Sequence, residues 1–265
     1  MTVITLTTDF GPGSHYSGQM KGVISSRAPQ AAVVDLCHTI RRHDIAQAAM
    51  IIESSWRFFP AATIHIVVVD PGVGGGRQII LLTVDGHYFI VPDNGVVSRL
   101  PLAHPQARCF VVQRPDLYLN PLSRTFHGRD IMAPVAAHLA SGGRPADYGP
   151  QISIRRLITL PPIPPPKFEA GRLNGVILDI DSFGNIITNI KAADLARLAG
   201  PPAARLNNHR ITLMVESYEQ AAPGGALLII NSSDALEIAV NQGRAADLLE
   251  AEIGMPVIIE ANSKI

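Results

Sequence analysis

The amino-acid sequence predicts an α/β protein, with an N-terminal α/β domain that has a mostly parallel sheet and a smaller C-terminal β-barrel domain. In the first half of the chain, apolar runs of strand length alternate with segments of helical spacing, which is typical of a parallel sheet covered on both faces. A proline-rich stretch then interrupts this pattern. Beyond it, short apolar runs follow one another without long helices between them, which favours a small barrel.

The N-terminal α/β domain is predicted to cover residues 1–160. The predicted strands are 3–8, 31–38, 63–70, 78–84 and 88–93, and the predicted helices are 18–28, a segment that begins after Asp44, and one that begins at Arg129. Asp44 can cap its helix, because an aspartate side chain accepts hydrogen bonds from the first turn. Ligands of such sheets bind beyond the carboxyl ends of the strands, and both Asp9 and Asp70 lie at such ends.

A linker is predicted at residues 161–169. The stretch 160–168 reads LPPIPPPKF and contains five prolines. Proline lacks a backbone N–H and has a fixed φ, so this stretch cannot sustain a helix or a central strand and is expected to be a stiff, extended connector. The C-terminal β-barrel domain is therefore predicted to cover residues 170–265.

Composition excludes several classes of protein. The 265 residues carry no formal net charge, and 47% are hydrophobic, so the basic patch of a nucleic-acid-binding protein is not expected. Two cysteines cannot form a metal cluster by themselves. No uncharged apolar run reaches the length of a membrane span, so no membrane partner is expected. The first ten residues lack the basic stretch of a secretory signal, and a cytoplasmic location is the expectation.

Three short blocks carry the candidate chemistry. They are VVVDPGVGGGR at 67–77, TFHGRD at 125–130 and DSFGNIITN at 181–189. The first two contain a carboxylate, a guanidinium and an imidazole, in Asp70, Arg77 and His127. These groups can form one site, because α/β enzymes assemble their sites at strand ends.

Each of these residues also has a purely structural interpretation. Asp9 can cap the segment that follows it, Arg77 can form a surface ion pair, and a single histidine such as His127 is more often structural than catalytic. The glycine-rich turn lacks the lysine and hydroxyl residue of a phosphate-binding loop. What indicates an enzyme is the accumulation of polar and glycine blocks at predicted strand ends.

The motifs together resemble one family over nearly the whole chain. They are TTDFG at 7–11, YSGQMKGV at 16–23, VVVDPGVG at 67–74, PDNG at 92–95, TFHGRDI at 125–131, DSFGNIITNI at 181–190 and NSSDALEIAV at 231–240. In this order they resemble the S-adenosyl-L-methionine hydroxide adenosyltransferases, which are relatives of fluorinating and chlorinating enzymes. The resemblance implies hydrolysis of S-adenosyl-L-methionine to adenosine and L-methionine. It also implies a homotrimer with active sites between subunits, no metal, and no cofactor apart from the substrate itself.

The resemblance also implies roles for single residues. Asp70, Arg77 and His127 correspond to the trio that activates water. The implied substrate-binding residues are Asp9, which would hold the ribose hydroxyls, and Phe126, Asp181, Phe183, Asn185, Ser232, Glu237 and Val240. The fluorinating relatives carry a tyrosine and a halide-contacting serine in place of His127 and Gly128, so the sequence resembles the hydrolytic branch.

The implied reaction places its main demand on the nucleophile. Methionine leaves the sulfonium as a neutral thioether and needs no general acid, whereas water is a poor nucleophile. We expect His127 and Asp70 to orient the water and accept its proton, while Arg77 stabilises hydroxide character. Pairing with Asp70 would offset the repulsion between Arg77 and the cationic substrate.

Three other functions stay open on the sequence alone. A halogenase would need a halide pocket in place of His127 and Gly128. A non-catalytic adenosine- or S-adenosylmethionine-binding module would bind its ligand without turnover. A metal-dependent hydrolase could use Asp9, Asp70, Asp93 and His127 as ligands.

Overall fold

The computed structural model describes residues 1–100 and 104–262. Contacts within the chain divide it into two compact units, Met1–Pro161 and Pro162–Ile265. The division falls inside the proline-rich stretch, whose prolines cannot pair in the interior of a sheet.

The first unit contains a seven-stranded mixed sheet in the order β2-β1-β3-β5-β4-β6-β7. Its strands are β1 Val3–Thr8, β2 Ala32–Cys37, β3 Ile64–Val68, β4 Ile79–Val84, β5 His87–Pro92, β6 Arg108–Val111 and β7 Gln151–Ile152. The strands β2, β1, β3 and β5 are parallel, while β4, β6 and β7 pair antiparallel. Antiparallel pairing begins at β4 because Asp85 and Gly86, both at positive φ, form a tight hairpin turn. The predicted α/β class is confirmed.

Helices cover both faces of this sheet. They are α1 His15–Arg27, α2 Ile45–Ser55 and α3 Ala133–Ala140. One apolar cluster joins α1 and α3 to one face, and a second joins α2 to the other, so alternate residues of β3 enter different clusters. The predicted cap is confirmed, because the Gln47 N–H donates to Asp44 Oδ1 over 2.8 Å. Helix α1 begins three residues earlier than predicted, since Ser14 caps it by accepting the Tyr16 N–H.

A π-helical turn, Gly128–Met132, precedes α3. Pro134 explains this turn, because proline has no N–H to donate to the carbonyl of Asp130 four residues earlier. The Ala133 N–H bonds instead to the carbonyl of Gly128, five residues back. The Asp130 carbonyl accepts a hydrogen bond from the Leu119 N–H over 2.9 Å.

The second unit is a nearly closed antiparallel barrel, as predicted. Its path runs β12-β11-β15-β9-β10-β14-β13, and β8 pairs with β9 at its side. The strands are β8 Lys167–Glu169, β9 Arg172–Ile180, β10 Ile186–Lys191, β11 Pro202–Leu206, β12 His209–Ile211, β13 Ala226–Ile230, β14 Ala235–Val240 and β15 Pro256–Ala261, with short helices α4 Ala192–Leu195 and α5 Ala245–Leu248. A bridge from Met214 to Leu228 brings the segment after β12 to β13. The last residues of the predicted linker therefore form strand β8.

None of the helices in residues 1–100 and 104–262 is long and apolar enough to cross a lipid bilayer.

A buried histidine pair lies in the first unit, at the opposite end of β3 from Asp70. His65 Nδ1 is 2.8 Å from Thr5 Oγ1, and His65 Nε2 is 3.3 Å from His87 Nδ1. Burial and the neighbouring His87 lower the pKa of His65 to about 3. The folded protein therefore keeps His65 neutral at pH values where the unfolded chain protonates it.

The lowered pKa of His65 predicts that the free energy of unfolding of the first unit depends on pH. Between pH 6.5 and 5 the unfolded state binds a proton at His65 that the folded state does not, so the free energy of unfolding falls by up to about 1.4 kcal/mol per pH unit. Urea titrations followed by the fluorescence of Trp56, the single tryptophan, measure this slope. We expect a smaller slope in His65→Gln and the full slope in His209→Gln, an exposed control in the second unit. Equal slopes in wild type and His65→Gln would contradict this account.

Candidate active site

A cavity of about 240 Å³ opens at the carboxyl ends of β1 and β3. It is lined by Asp9, Phe10, Arg42, His43, Val68, Asp70, Val73, Thr125, Phe126, His127 and Gly128. Two of the three predicted trio residues, Asp70 and His127, are in this lining, and Arg77 is hydrogen-bonded to both. The topology explains the position, since the parallel strands deliver their following loops to one edge of the sheet.

Asp70 and Arg77 form a bidentate ion pair. Arg77 Nε donates to both carboxylate oxygens at 3.1 and 2.9 Å, and Nη2 donates to Oδ2 at 2.5 Å. The Arg77 and Asp70 side chains are only 10% and 4% exposed. A paired geometry of this kind fixes the guanidinium plane and neutralises its charge within the protein.

His127 extends this pair to a series of three hydrogen-bonded side chains, because Arg77 Nη2 lies 2.9 Å from His127 Nδ1. A guanidinium can only donate, so Nδ1 accepts this hydrogen bond and carries no proton. The neutral ring then holds its proton on Nε2. Burial and the Arg77 guanidinium lower the pKa of His127, against the opposing influence of Asp70 and Asp130. The ring is therefore neutral near pH 7, with Nε2–H as a donor.

Two glycines allow the loops of the trio to meet. Gly74 has φ +77°, and a Cβ built there would lie 2.1 Å from the Arg124 carbonyl oxygen. The turn that precedes Arg77 thus packs backbone to backbone against the loop that precedes His127. At Gly128, a Cβ would lie 3.1 and 3.2 Å from the two methyl groups of Val68, so a side chain there would require Val68 to shift by a few tenths of an ångström.

Gly74→Ala is therefore expected to separate the two loops. The added methyl group clashes with the Arg124 backbone and occupies an unfavourable φ, so we expect about 1–3 kcal/mol of destabilisation. Gly76→Ala is the matched control, because Gly76 has no heavy atom within 4 Å of a built Cβ. Thermal and urea unfolding measure both variants. Equal stability of the two would show that the loops do not depend on this close approach.

Asp9 lies at the end of β1, as predicted. Its Oδ2 accepts the His43 N–H over 2.9 Å, and His43 Nδ1 is 3.9 Å from the same oxygen. Arg42 and His43 both line the cavity, and the sequence analysis did not identify them. His43 has φ +65°, and no local sequence signal such as glycine marks that conformation.

Phe126 forms an aromatic wall with Phe10 and Tyr16. The three rings meet edge to face, with centroid separations of 5.2–5.7 Å. On this wall lies a second cavity of about 370 Å³, which shares Phe10, Thr125 and Phe126 with the first. Its other lining residues are Tyr16, Gln19, Ser123 and Arg129. The two cavities therefore meet at the Phe126 ring.

In the second unit, Asp181, Phe183 and Asn185 form one compact turn. Asp181 Oδ1 accepts the Phe183 and Asn185 N–H groups at 2.9 Å each, and Oδ2 accepts Asn185 Nδ2 at 3.1 Å. The Phe183 side chain is left 74% exposed. An exposed aromatic ring held on a rigid turn is suited to contact a planar ligand.

The other predicted residues of this unit differ in exposure. Ser232 is exposed, whereas Val240 is buried in the apolar core of the barrel. Glu237 is also buried, and its two oxygens accept hydrogen bonds from Tyr218 Oη at 2.7 Å and Asn231 Nδ2 at 3.3 Å. Burial raises the pKa of Glu237. Its geometry is that of a group that supports neighbouring side chains.

Across residues 1–100 and 104–262, no three His, Cys, Asp or Glu side chains converge as ligands for a metal ion. Asp93, a possible ligand in the metal-dependent alternative, is outside the cavity lining and accepts the Ile158 N–H over 3.0 Å.

An Asp–Arg–His series beside a cavity at parallel strand ends is typical of the class of α/β enzymes. Family models identify the particular family: the SAM hydroxide adenosyltransferase N-terminal domain matches residues 4–149, and the C-terminal domain of that name matches residues 175–258. The chain belongs to this family, and the resemblance predicted from its motifs is confirmed.

Individual relatives agree with this assignment. The chain is 36% identical over 253 residues to the (R)-S-adenosyl-L-methionine hydrolase of Salinispora arenicola, with 95% of each chain covered. It is 25% identical to a fluorinase of an Actinoplanes species, with 97% of each covered. A crystal structure of an uncharacterized conserved protein from Thermotoga maritima superposes with a TM-score of 0.88 at 30% identity, covering 97% of this chain and 99% of that one.

Proposed function

We propose that this protein hydrolyses S-adenosyl-L-methionine to adenosine and L-methionine by attack of water or hydroxide at C5′. The observation that carries the proposal is the hydrogen-bonded, partly buried series Asp70–Arg77–His127 beside the cavity. The curated relative named a hydrolase is more similar to this chain than the fluorinase, which supports the same choice.

The substrate itself supplies most of the driving force for departure of methionine. An oxygen lone pair forms the bond to C5′ while the C5′–S pair passes to sulfur, which leaves as a neutral thioether. The water proton is released, so the products are adenosine, L-methionine and one proton. Holding oxygen in line behind C5′ accounts for up to roughly 7–11 kcal/mol of the barrier in favourable cases.

The hydrogen bonds suggest how the trio divides this work. His127 Nδ1 accepts a hydrogen bond from Arg77, and both Asp70 oxygens already accept from the guanidinium, which makes these atoms weaker proton acceptors. We propose that His127 Nε2–H donates to the nucleophilic oxygen and, with Arg77, stabilises hydroxide character. Asp70 then offsets the charge of Arg77 near a cationic substrate. This assigns proton loss to solvent instead of to His127 or Asp70.

The substrate-binding roles follow the family expectation. The Asp9 carboxylate would accept hydrogen bonds from the ribose hydroxyls, and Phe126 would line the path of the substrate. Asp181, Phe183, Asn185 and Ser232 would contact the adenosine or methionine groups. The homotrimer stays part of the proposal, and sedimentation equilibrium of the purified protein tests it.

Isotope labelling tests the reaction directly. In oxygen-18 water, mass spectrometry is expected to find the label in the 5′-hydroxyl of the adenosine product, because the nucleophile comes from solvent. Parallel incubations with chloride and fluoride are expected to give no 5′-halogenated adenosine. Unlabelled adenosine, a halogenated product, or ligand binding without turnover would each reject the proposed hydrolysis.

His127→Ala tests the donor role. We expect kcat to fall on the order of 100- to 1,000-fold with little change in KM, because the lost donor acts on charge that develops in the transition state. In wild type the neutral ring is the active form, so activity is lost as pH falls through the lowered pKa of His127. Steady-state kinetics at several pH values measure both effects, with His209→Ala as control. If kcat is unchanged and kcat/KM falls only because KM rises, His127 would instead be a binding group.

A further inference from the structure

Asp130 is a buried carboxylate that the proposed chemistry does not use. It lies three residues after His127 in the π-helical turn, and its side chain is fully shielded from solvent. A buried carboxylate is costly unless it is paired and hydrogen-bonded. Its partners therefore show what it holds in place.

The Asp130 side chain joins the π-helical turn to the loop that precedes Phe126. Oδ2 accepts the backbone N–H of Ser123 over 2.7 Å, and the Arg129 guanidinium donates to both oxygens, at 2.5 Å from Nε and 3.1 Å from Nη2. Ser123 Oγ in turn accepts the Thr125 N–H over 3.2 Å. The carboxylate thus fixes the loop that leads into Phe126 and His127.

The backbone of Asp130 makes a second link to the same loop. Its carbonyl, which cannot accept from Pro134, accepts the Leu119 N–H over 2.9 Å. Side chain and main chain of one residue therefore hold the loop at two points, Leu119 and Ser123. The π-helical turn makes this possible, and such turns are frequent at functional sites.

Arg129 extends the network to α1 and the aromatic wall. Its Nη1 donates to Gln19 Oε1 over 2.8 Å, and its guanidinium carbon lies 5.0 Å from the centre of the Phe126 ring. The carboxylate of Asp130 therefore orients a guanidinium that packs on the residue directly before His127.

We propose that Asp130 is a positioning residue of the active site: its buried carboxylate fixes the segment from Ser123 to His127 so that the imidazole stays hydrogen-bonded to Arg77. The expected effect on kcat rests on the proposed function, whereas the effect on the position of the imidazole does not. Asp130 acts through His127 and is not among the residues that line either cavity. A looser segment would let the ring leave Arg77, and a displacement of about 1 Å lowers turnover on the order of 100-fold.

Asp130→Asn tests the proposal with two readouts. In steady-state assays with S-adenosyl-L-methionine we expect kcat to fall on the order of 10- to 100-fold, while KM changes little. The second readout is the NMR titration midpoint of the His127 ring. Asp116→Asn is the matched control, since Asp116 also pairs with an arginine through both oxygens but is exposed.

The titration separates positioning from simple electrostatics. The groups facing the His127 ring are Arg77, Asp70 and Asp130, and burial with Arg77 lowers its pKa while the two carboxylates raise it. If Asp130 only supplies charge, Asp130→Asn lowers the midpoint further. If Asp130 positions the ring, the variant frees it from burial and Arg77, and the midpoint rises toward the ordinary value. A fold-stability role alone leaves the midpoint of the folded protein unchanged.

A raised midpoint with reduced kcat supports the proposal, and an unchanged or lowered midpoint overturns it. If Asp130→Asn does not fold, Asp130→Glu keeps the charge and lengthens only the side chain that accepts the Ser123 N–H. A raised midpoint in this variant supports positioning, and an unchanged midpoint overturns the proposal. Wild type that releases no adenosine would reject the proposed hydrolysis, while the titration would still decide the role of Asp130.

Discussion

The hydrogen bond from Arg77 to His127 is the interaction on which the rest of the site depends. It joins two loops separated by fifty residues and decides which imidazole nitrogen carries the proton. The Asp70 ion pair fixes the guanidinium that donates it. A site built in this way presents hydrogen-bond donors to an oxygen nucleophile and leaves little net charge beside a cationic substrate.

Several features of the surrounding fold fix the geometry of this hydrogen bond. The parallel strands β1 and β3 bring their loops to one edge of the sheet. The close approach of Gly74 to the Arg124 carbonyl then leaves no room for a side chain between the loops, and Gly128 packs closely on Val68 of β3. The buried Asp130 holds the far side of the same loop. Backbone contacts, helix irregularity and a buried charge therefore converge on the position of one imidazole ring.

Sequence motifs predicted the fold class, the family and the trio, because those features depend on short local patterns. Asp44 could be assigned as a cap from its position alone. The hairpin between β4 and β5 was missed as the point where the sheet becomes mixed, although Asp85-Gly86 is a recognisable turn signal. Asp130 and His43 were missed for a different reason. Their roles come from long-range packing and an unusual φ, which no local pattern specifies.

The tautomer of His127 is the most direct test of this account. Long-range proton–nitrogen correlation spectra of protein labelled with nitrogen-15 histidine distinguish a protonated Nε2 from a protonated Nδ1. The account predicts a neutral ring near pH 7 with its proton on Nε2 and Nδ1 bonded to Arg77. A proton on Nδ1, or a ring that is charged at neutral pH, would contradict it.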